Sequence, residues 1–246
     1  MHYLLVNDDG VDAPGLCTLA KALEKRGDVV AVVAPNTERS GSSHGITIQG
    51  SIDLTPAELS GVRGRVYGIS GTPADCVRVG LHLFPGTEMV LSGINRGLNL
   101  GVDTLYSGTV SAALEAGIYG KGSLAVSTQC IWATGEIDYD RAAEITTEVL
   151  DRYGAFVRAK RAVLSLNIPY EIADATVRLV PIGEPAYYRY DVEETEGIIT
   201  PREKIRATPD GSRDRGIVEA GGISLTPLHF DLTDYKVLGK LLETER

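Results

Sequence analysis

Short apolar runs alternate with stretches of helical spacing through the first two thirds of the chain. Residues 3–6 are apolar and run into a Gly/Asp/Pro loop. Leu16, Leu19, Ala20 and Leu23 then follow the spacing of one helix face, and Gly27 marks a stop. Residues 29–34 are β-branched and almost wholly apolar, the pattern of a strand buried on both faces. Residues 65–70 read as a further strand. Thr72-Pro73 supplies a cap and a proline at the first helical position, opening a helix to about Leu83. Strands follow at 89–91, 124–127 and 163–166, with helices at 107–117 and 139–153. Repeated β-α-β steps predict an α/β fold with a mainly parallel sheet covered by helices.

The pattern changes after Pro169. Residues 170–226 are rich in Tyr, Thr, Glu and Gly, in short alternating runs with no clear helix. A final helix, 233–244, carries Val237, Leu238, Leu241 and Leu242. The expected organisation is a core of residues 1–169 and a β-rich extension with a terminal helix, 170–246. There is no low-complexity linker and no internal repeat.

Composition narrows the function. The chain has 246 residues, 43% hydrophobic and 23% charged, as in an ordinary globular protein. Its 24 basic and 33 acidic residues leave a net charge of −9, which argues against nucleic acid or an anionic membrane as a broad partner. A small anionic substrate then needs local positive charge, which a bound metal cation supplies. Cys17, Cys76 and Cys130 are widely spaced with no CxxC, and read as free thiols in a reducing compartment. The start has too short an apolar run for a signal peptide, and no run is long enough to span a membrane. The expectation is a cytoplasmic protein.

In open parallel sheets, ligands bind beyond the carboxyl ends of the strands. Four loops there are distinctive. In Asn7-Asp8-Asp9-Gly10, two adjacent carboxylates follow a buried strand; they repel, lose water, and need a proton or a hard cation. The second, 34–43, is dense in hydroxyls and includes Ser40; alone it also reads as a polar loop. The third, 92–101, repeats Gly93, Gly97 and Gly101, with Asn95 and Asn99 offering amide groups. The fourth, Ser107-Gly108-Thr109, opens a helix, where free N–H groups and hydroxyls can cradle a phosphate. Each alone also reads as a turn or cap. Separate capping motifs do not explain why all four fall between the carboxyl end of a strand and the following helix.

Other motifs are missing or weak. There is no GxGxxG, no P-loop and no GxSxG elbow. The four histidines lack zinc spacing; only His44, just after the serine loop, stays open as a participant. The acidic run 191–196 and the basic Arg202, Lys204 and Arg206 read as solvated.

At these loops the chain resembles the stationary-phase survival protein E (SurE) family of metal-dependent nucleotidases. The matching residues are Asn7-Asp8-Asp9-Gly10 with Ala13-Pro14-Gly15, Ala34-Pro35 with Ser40-Gly41, and Gly71-Thr72-Pro73-Ala74-Asp75-Cys76-Val77. They continue with Ser92-Gly93-Ile94-Asn95, Gly97, Asn99 and Gly101, then Tyr106-Ser107-Gly108-Thr109-Val110 with Ala112-Ala113 and Glu115, and end with Ser224-Leu225-Thr226-Pro227-Leu228 followed by Asp231-Leu232-Thr233. The resemblance implies a Rossmann-like three-layer α/β/α core, with a C-terminal extension exchanged between subunits of a homodimer or homotetramer. It implies one divalent ion per subunit, Mg or Mn, on Asp8, Asp9, Ser40 and Asn95. Phosphate would be received by Asn95, Ser107, Gly108 and Thr109. The implied reaction is hydrolysis of nucleoside 5′-monophosphates, with 3′-monophosphates and short polyphosphate as further substrates, and Asp8 or Asp9 as proton acceptor.

Two rival classes fit these residues less well. An aspartyl-phosphate phosphatase of the haloacid dehalogenase type needs aspartates two apart, whereas Asp8 and Asp9 are adjacent and Gly10 follows. A non-catalytic nucleotide or metal sensor would show a lost ligand, and none of the implied ligands is missing.

Overall fold

The chain is described by a computed structural model, which covers residues 1–183, 186–193, 198–206 and 208–244. Residues 194–197, which hold part of the acidic run, lie outside the described residues, as do the side chains of Arg202, Lys204 and Arg206.

Strands β1 (His2–Val6), β2 (Val29–Pro35), β4 (Arg65–Ile69), β5 (Met89–Arg96), β6 (Gly122–Thr128) and β7 (Val163–Ile168) form the parallel part of one sheet. Helices α1 (Pro14–Lys25), α2 (Pro73–Leu83), α3 (Gly108–Ile118) and α4 (Tyr139–Lys160) connect them. Short β3 (Leu54–Ala57) edges the sheet antiparallel to β4. At the other end β11 (Gly222–Leu228) runs antiparallel to β7, and β8 (Asp174–Leu179) lies outside it. The order is β3-β4-β2-β1-β5-β6-β7-β11-β8.

Alternation along β1 makes three layers. Tyr3 and Leu5 pack with Leu16, Leu19 and Ile145 from α1 and α4. Leu4 and Val6 pack with Cys76 and Val77 of α2 and Ala112 of α3. Each side chain of a central strand finds an apolar layer, so the run must be continuously hydrophobic. This is the Rossmann-like α/β architecture expected from the sequence. The chain goes outward from β1 through β2 and returns to β5 on β1's other side. The crevice of such a sheet opens at that reversal.

Several boundaries differ from the sequence expectation. The strand expected at 89–91 continues to Arg96, through an irregularity between Ser92 and Asn95. Asn95 therefore lies in the last two residues of a strand, paired with Ser127, and is not in a free loop. The helix expected at 139–153 runs on to Lys160 and ends at Arg161, whose φ is 53°. The stretch 170–226, read as lacking a helix, contains α5 (Asp214–Glu219). The Asp214 carboxylate organises that region, accepting Gly101 N–H at 2.9 Å and Gly183 N–H at 2.7 Å. Strands β9 (Ala186–Glu193) and β10 (Ile198–Arg206) form a separate antiparallel pair. The terminal helix α6 (Tyr235–Thr244) buries none of its residues and exposes Val237, Leu238, Leu241 and Leu242. Among the described residues no helix is long and apolar enough to cross a membrane.

Candidate active site

The reversal between β1 and β5 gathers the predicted loops. Directly after β1, Asn7 folds its own turn: its Nδ2 donates to Gly10 O at 2.8 Å and its Oδ1 accepts Gly10 N–H at 3.3 Å. Gly10 has φ 107°, a value that favours glycine. The turn presents Asp8, only 4% exposed, and Asp9 beside it. Backbone donors fix both: Arg39 N–H donates to Asp8 O at 2.7 Å, and Arg96 N–H to Asp9 Oδ2 at 3.1 Å. Val11 N–H donates to Pro35 O at 2.8 Å, tying the first loop to the second.

Helix α3 starts against Asp8. Ser107 is its N-cap, its Oγ accepting Val110 N–H at 3.1 Å. Thr109, fully buried, donates its hydroxyl to Asp8 Oδ1. A Cβ on Gly108 would stand 2.8 Å from Asp8 Cβ and 2.9 Å from Pro73 Cγ. Only glycine lets the helix start come this close to the carboxylate.

The serine loop is pinned at several points. Ser43 N–H donates to Tyr106 O at 3.1 Å and its Oγ to Leu105 O at 2.7 Å. His44 Nε2 meets Glu115 Oε2 of α3 at 2.9 Å, which gives that histidine a positioning partner. Thr47 donates its hydroxyl to Asp75 Oδ2 at 2.7 Å, and Asp75 also completes a capping box with Thr72 at the start of α2. Between these ties Ser40 is exposed, its Oγ donating to Glu38 Oε1 at 2.7 Å.

Asp8, Ser40 and Asn95 line one cleft of about 360 Å³. The Asn95 Nδ2 donates to Gly97 O at 2.9 Å, so its amide oxygen is the atom available to a ligand. The sequence reading did not single out Arg96 or Trp132, which share this cleft; the clue it passed over is that Trp132 is the chain's single tryptophan. Asn99 stabilises the floor, its Nδ2 donating to Ser127 Oγ at 2.9 Å and its N–H to Asn167 Oδ1 at 2.8 Å.

The electrostatics suit a cation. Burial pushes the Asp8 carboxyl up, against the opposing hydrogen bonds from Thr109. Burial and then the neighbouring Asp8 charge push Asp9 from 3.8 up to about 6. Two buried acids that resist ionising together are relieved by a positive ion, and oxygen donors suit a hard divalent one. Among the described residues no three of His, Cys, Asp and Glu come together to hold a metal. A cation here would draw on two carboxylates, the neutral oxygens of Ser40 and Asn95, and water.

Comparison with known proteins places the chain in a family. The family model described as Survival protein SurE matches residues 3–189. A Clostridium beijerinckii protein named 5′-nucleotidase SurE is 39% identical, over 97% of this chain and 96% of its own length. A protein of the same name from Caldanaerobacter subterraneus is 37% identical, over 97% of this chain and 95% of its own length. The crystal structure of the SurE protein from Aquifex aeolicus superposes with a TM-score of 0.79 at 31% identity, covering 100% of both chains. With a family match over most of its length and relatives this similar end to end, the chain belongs to the SurE family.

Proposed function

We propose that the chain is a metal-dependent phosphomonoesterase that hydrolyses nucleoside 5′-monophosphates to nucleoside and phosphate. The observation that carries this is the Asp8–Asp9 pair at the sheet reversal, with the buried Asp8 held against the start of α3. The name 5′-nucleotidase borne by close, full-length relatives supports the substrate class. Nucleoside 3′-monophosphates and short polyphosphate are further candidate substrates of the same site.

A single Mg²⁺ or Mn²⁺ on Asp8, Asp9, Ser40 Oγ and Asn95 would neutralise the acids, polarise a phosphoryl oxygen and make bound water more acidic. The chain's own residues do the rest. The positive end of α3, with the Gly108 N–H and the Ser107 hydroxyl, favours the phosphate oxygens where charge grows during the reaction. The second hydrogen of Asn95 Nδ2, the one not given to Gly97 O, can donate to the same group. Water attacks phosphorus opposite the ester oxygen; the new P–O bond forms as the old one breaks. The water's proton passes to the aspartate pair and from there, through solvent, to the departing ester oxygen, so the nucleoside leaves as an alcohol and the pair is restored.

The direct test is phosphate release from AMP and GMP with Mg²⁺ or Mn²⁺, with and without EDTA. Release that EDTA abolishes is expected. No release with either metal would end the reading. Ser107→Ala is expected to lower kcat/KM about 10²-fold, and its lost cap to cost about 1 kcal/mol of stability. A wild-type rate would remove Ser107 from the site.

The metal-free protein should also show the strain of the acid pair. Its carboxyl at about 6 means that the folded chain keeps a proton on Asp9 that the unfolded chain has lost. Stability therefore falls as pH rises from about 4 to about 6, by at most about 3 kcal/mol, and does not return above that. In EDTA, the melting temperature of the Asp9→Asn variant should gain on wild type between pH 4.5 and pH 7.5. Added Mn²⁺ should stabilise wild type more at pH 7.5 than at pH 5. Parallel melting curves for the two proteins across this range would contradict the assignment.

We further propose a homodimer or homotetramer in which part of residues 170–246 packs on a partner copy, which would cover the exposed apolar face of α6. The free state of Cys17, Cys76 and Cys130 suits a reducing compartment, the cytoplasm.

A further inference from the structure

One wall of the cleft beside Asp8 is not used by the hydrolysis itself. Trp132 stands in it, 71% exposed. The guanidinium of Arg96 lies over the indole, 5.1 Å from the ring centroid. A cation in that position is attracted by the ring's quadrupole. It covers one face of the ring and leaves the remainder open to solvent. A Cβ built on Gly97 would come 3.5 Å from the ring's Cζ2, so the strand end passes close to the indole. The loop that carries the ring is closed on itself, with Ile131 N–H donating to Glu136 O at 2.9 Å and Gly135 N–H to Ile131 O at 2.7 Å. Arg96 also donates its backbone N–H to Asp9 Oδ2 at 3.1 Å. One residue thus ties the ring to the acid pair, by its side chain on one side and its main chain on the other.

We propose that the Trp132 indole is the platform on which the base of a nucleoside monophosphate stacks while its phosphate lies at Asp8 and Asn95. The proposal rests on the hydrolysis reading above and names the residue that makes the site prefer nucleotides over other phosphomonoesters. The cleft, about 360 Å³, falls within the usual range of small-molecule sites. Stacking on an indole tolerates any base, because every base has a π-face. The site is therefore broad among nucleobases and selective against phosphates that have none. Single exposed aromatics are ordinary on protein surfaces. Trp132 is set apart by sharing its cleft with Asp8, Ser40 and Asn95, and by the link through Arg96.

The test uses Mn²⁺-loaded wild type, Trp132→Ala and Trp132→Phe, with AMP and ribose 5-phosphate as substrates. The ratio of kcat/KM for AMP to that for ribose 5-phosphate should fall about tenfold in Trp132→Ala. The loss should lie in KM, and Trp132→Phe should recover most of it. Because the chain has one tryptophan, AMP should also quench the wild-type fluorescence directly, and ribose 5-phosphate should not. An unchanged ratio in Trp132→Ala overturns the platform. So do equal losses on both substrates together with a changed mass in size-exclusion chromatography, which would assign the ring to a contact between copies. Wild type that turns over neither substrate would sink the hydrolysis reading instead, and the fluorescence titration would still decide the platform.

Discussion

Asp8→Asn is expected to cut phosphate release from AMP by at least about 10³-fold, and Asp9→Asn to do the same, since several kcal/mol of charge stabilisation depend on the cation they hold. The amide keeps the size of the carboxylate. At position 8 its oxygen can still accept the Thr109 hydroxyl, so the packing at the start of α3 survives. What is lost is a negative charge in a buried site. The folded state should therefore not suffer. In EDTA both variants should melt at or above the wild-type temperature, because the repulsion between the two acids is gone. Loss of turnover together with unimpaired melting separates this result from simple misfolding. Activity within tenfold of wild type in both variants would show that the metal is held elsewhere.

Gly108→Ala is expected to lower kcat/KM about 10²-fold, the scale on which small misplacements of reacting groups are felt. The added methyl would meet Asp8 Cβ at 2.8 Å and Pro73 Cγ at 2.9 Å. Neither neighbour is the loose end of a flexible chain. Either the first turn of α3 backs away or the Asp8 turn shifts, and both open the distance between acid pair and phosphate cradle. Circular dichroism should remain wild type, since alanine is a good helix former. Mn²⁺ affinity, read by thermal shift, should weaken alongside the rate. Wild-type kinetics would mean that the close approach has no bearing on the chemistry.

Much of the architecture is written in the hydrophobic pattern because the central strands have no solvent face. Residues 29–34 cannot be read as anything amphipathic, and they form most of β2. Thr72-Pro73 sets the start of α2 through local chemistry alone, which needs no knowledge of the fold. Elements held by distant partners are invisible to such a reading. Helix α5 is six residues long, too short for a helical period, and is secured by the Asp214 carboxylate reaching Gly101 and Gly183. Strand β3 is four residues with a proline, legible only once β4 lies alongside. The extension of β5 to Arg96 passes through Gly93, whose φ of 134° breaks the alternation that marks a strand.

The candidate site divides in the same way. Asp8, Asp9, Ser40, Asn95 and Ser107 stand out because their residue types are unusual after buried strands. The partners that seat them are less legible. The hydroxyl of Thr109 is engaged by Asp8, and the main-chain donors of Arg39 and Arg96 carry no signature in their side chains. Trp132 sits in a short turn with no period to place it near residue 8.

Those two main-chain donors make the acid turn unusually tolerant of drift. Arginine can become almost any other amino acid at positions 39 and 96 without losing the peptide hydrogen that steadies Asp8 or Asp9, because every residue but one brings its own. Proline is that exception. A saturation library at either position should therefore keep the main-chain bond to the acid turn in every variant but that one, whatever the lost side chain costs at Ser70 or Trp132.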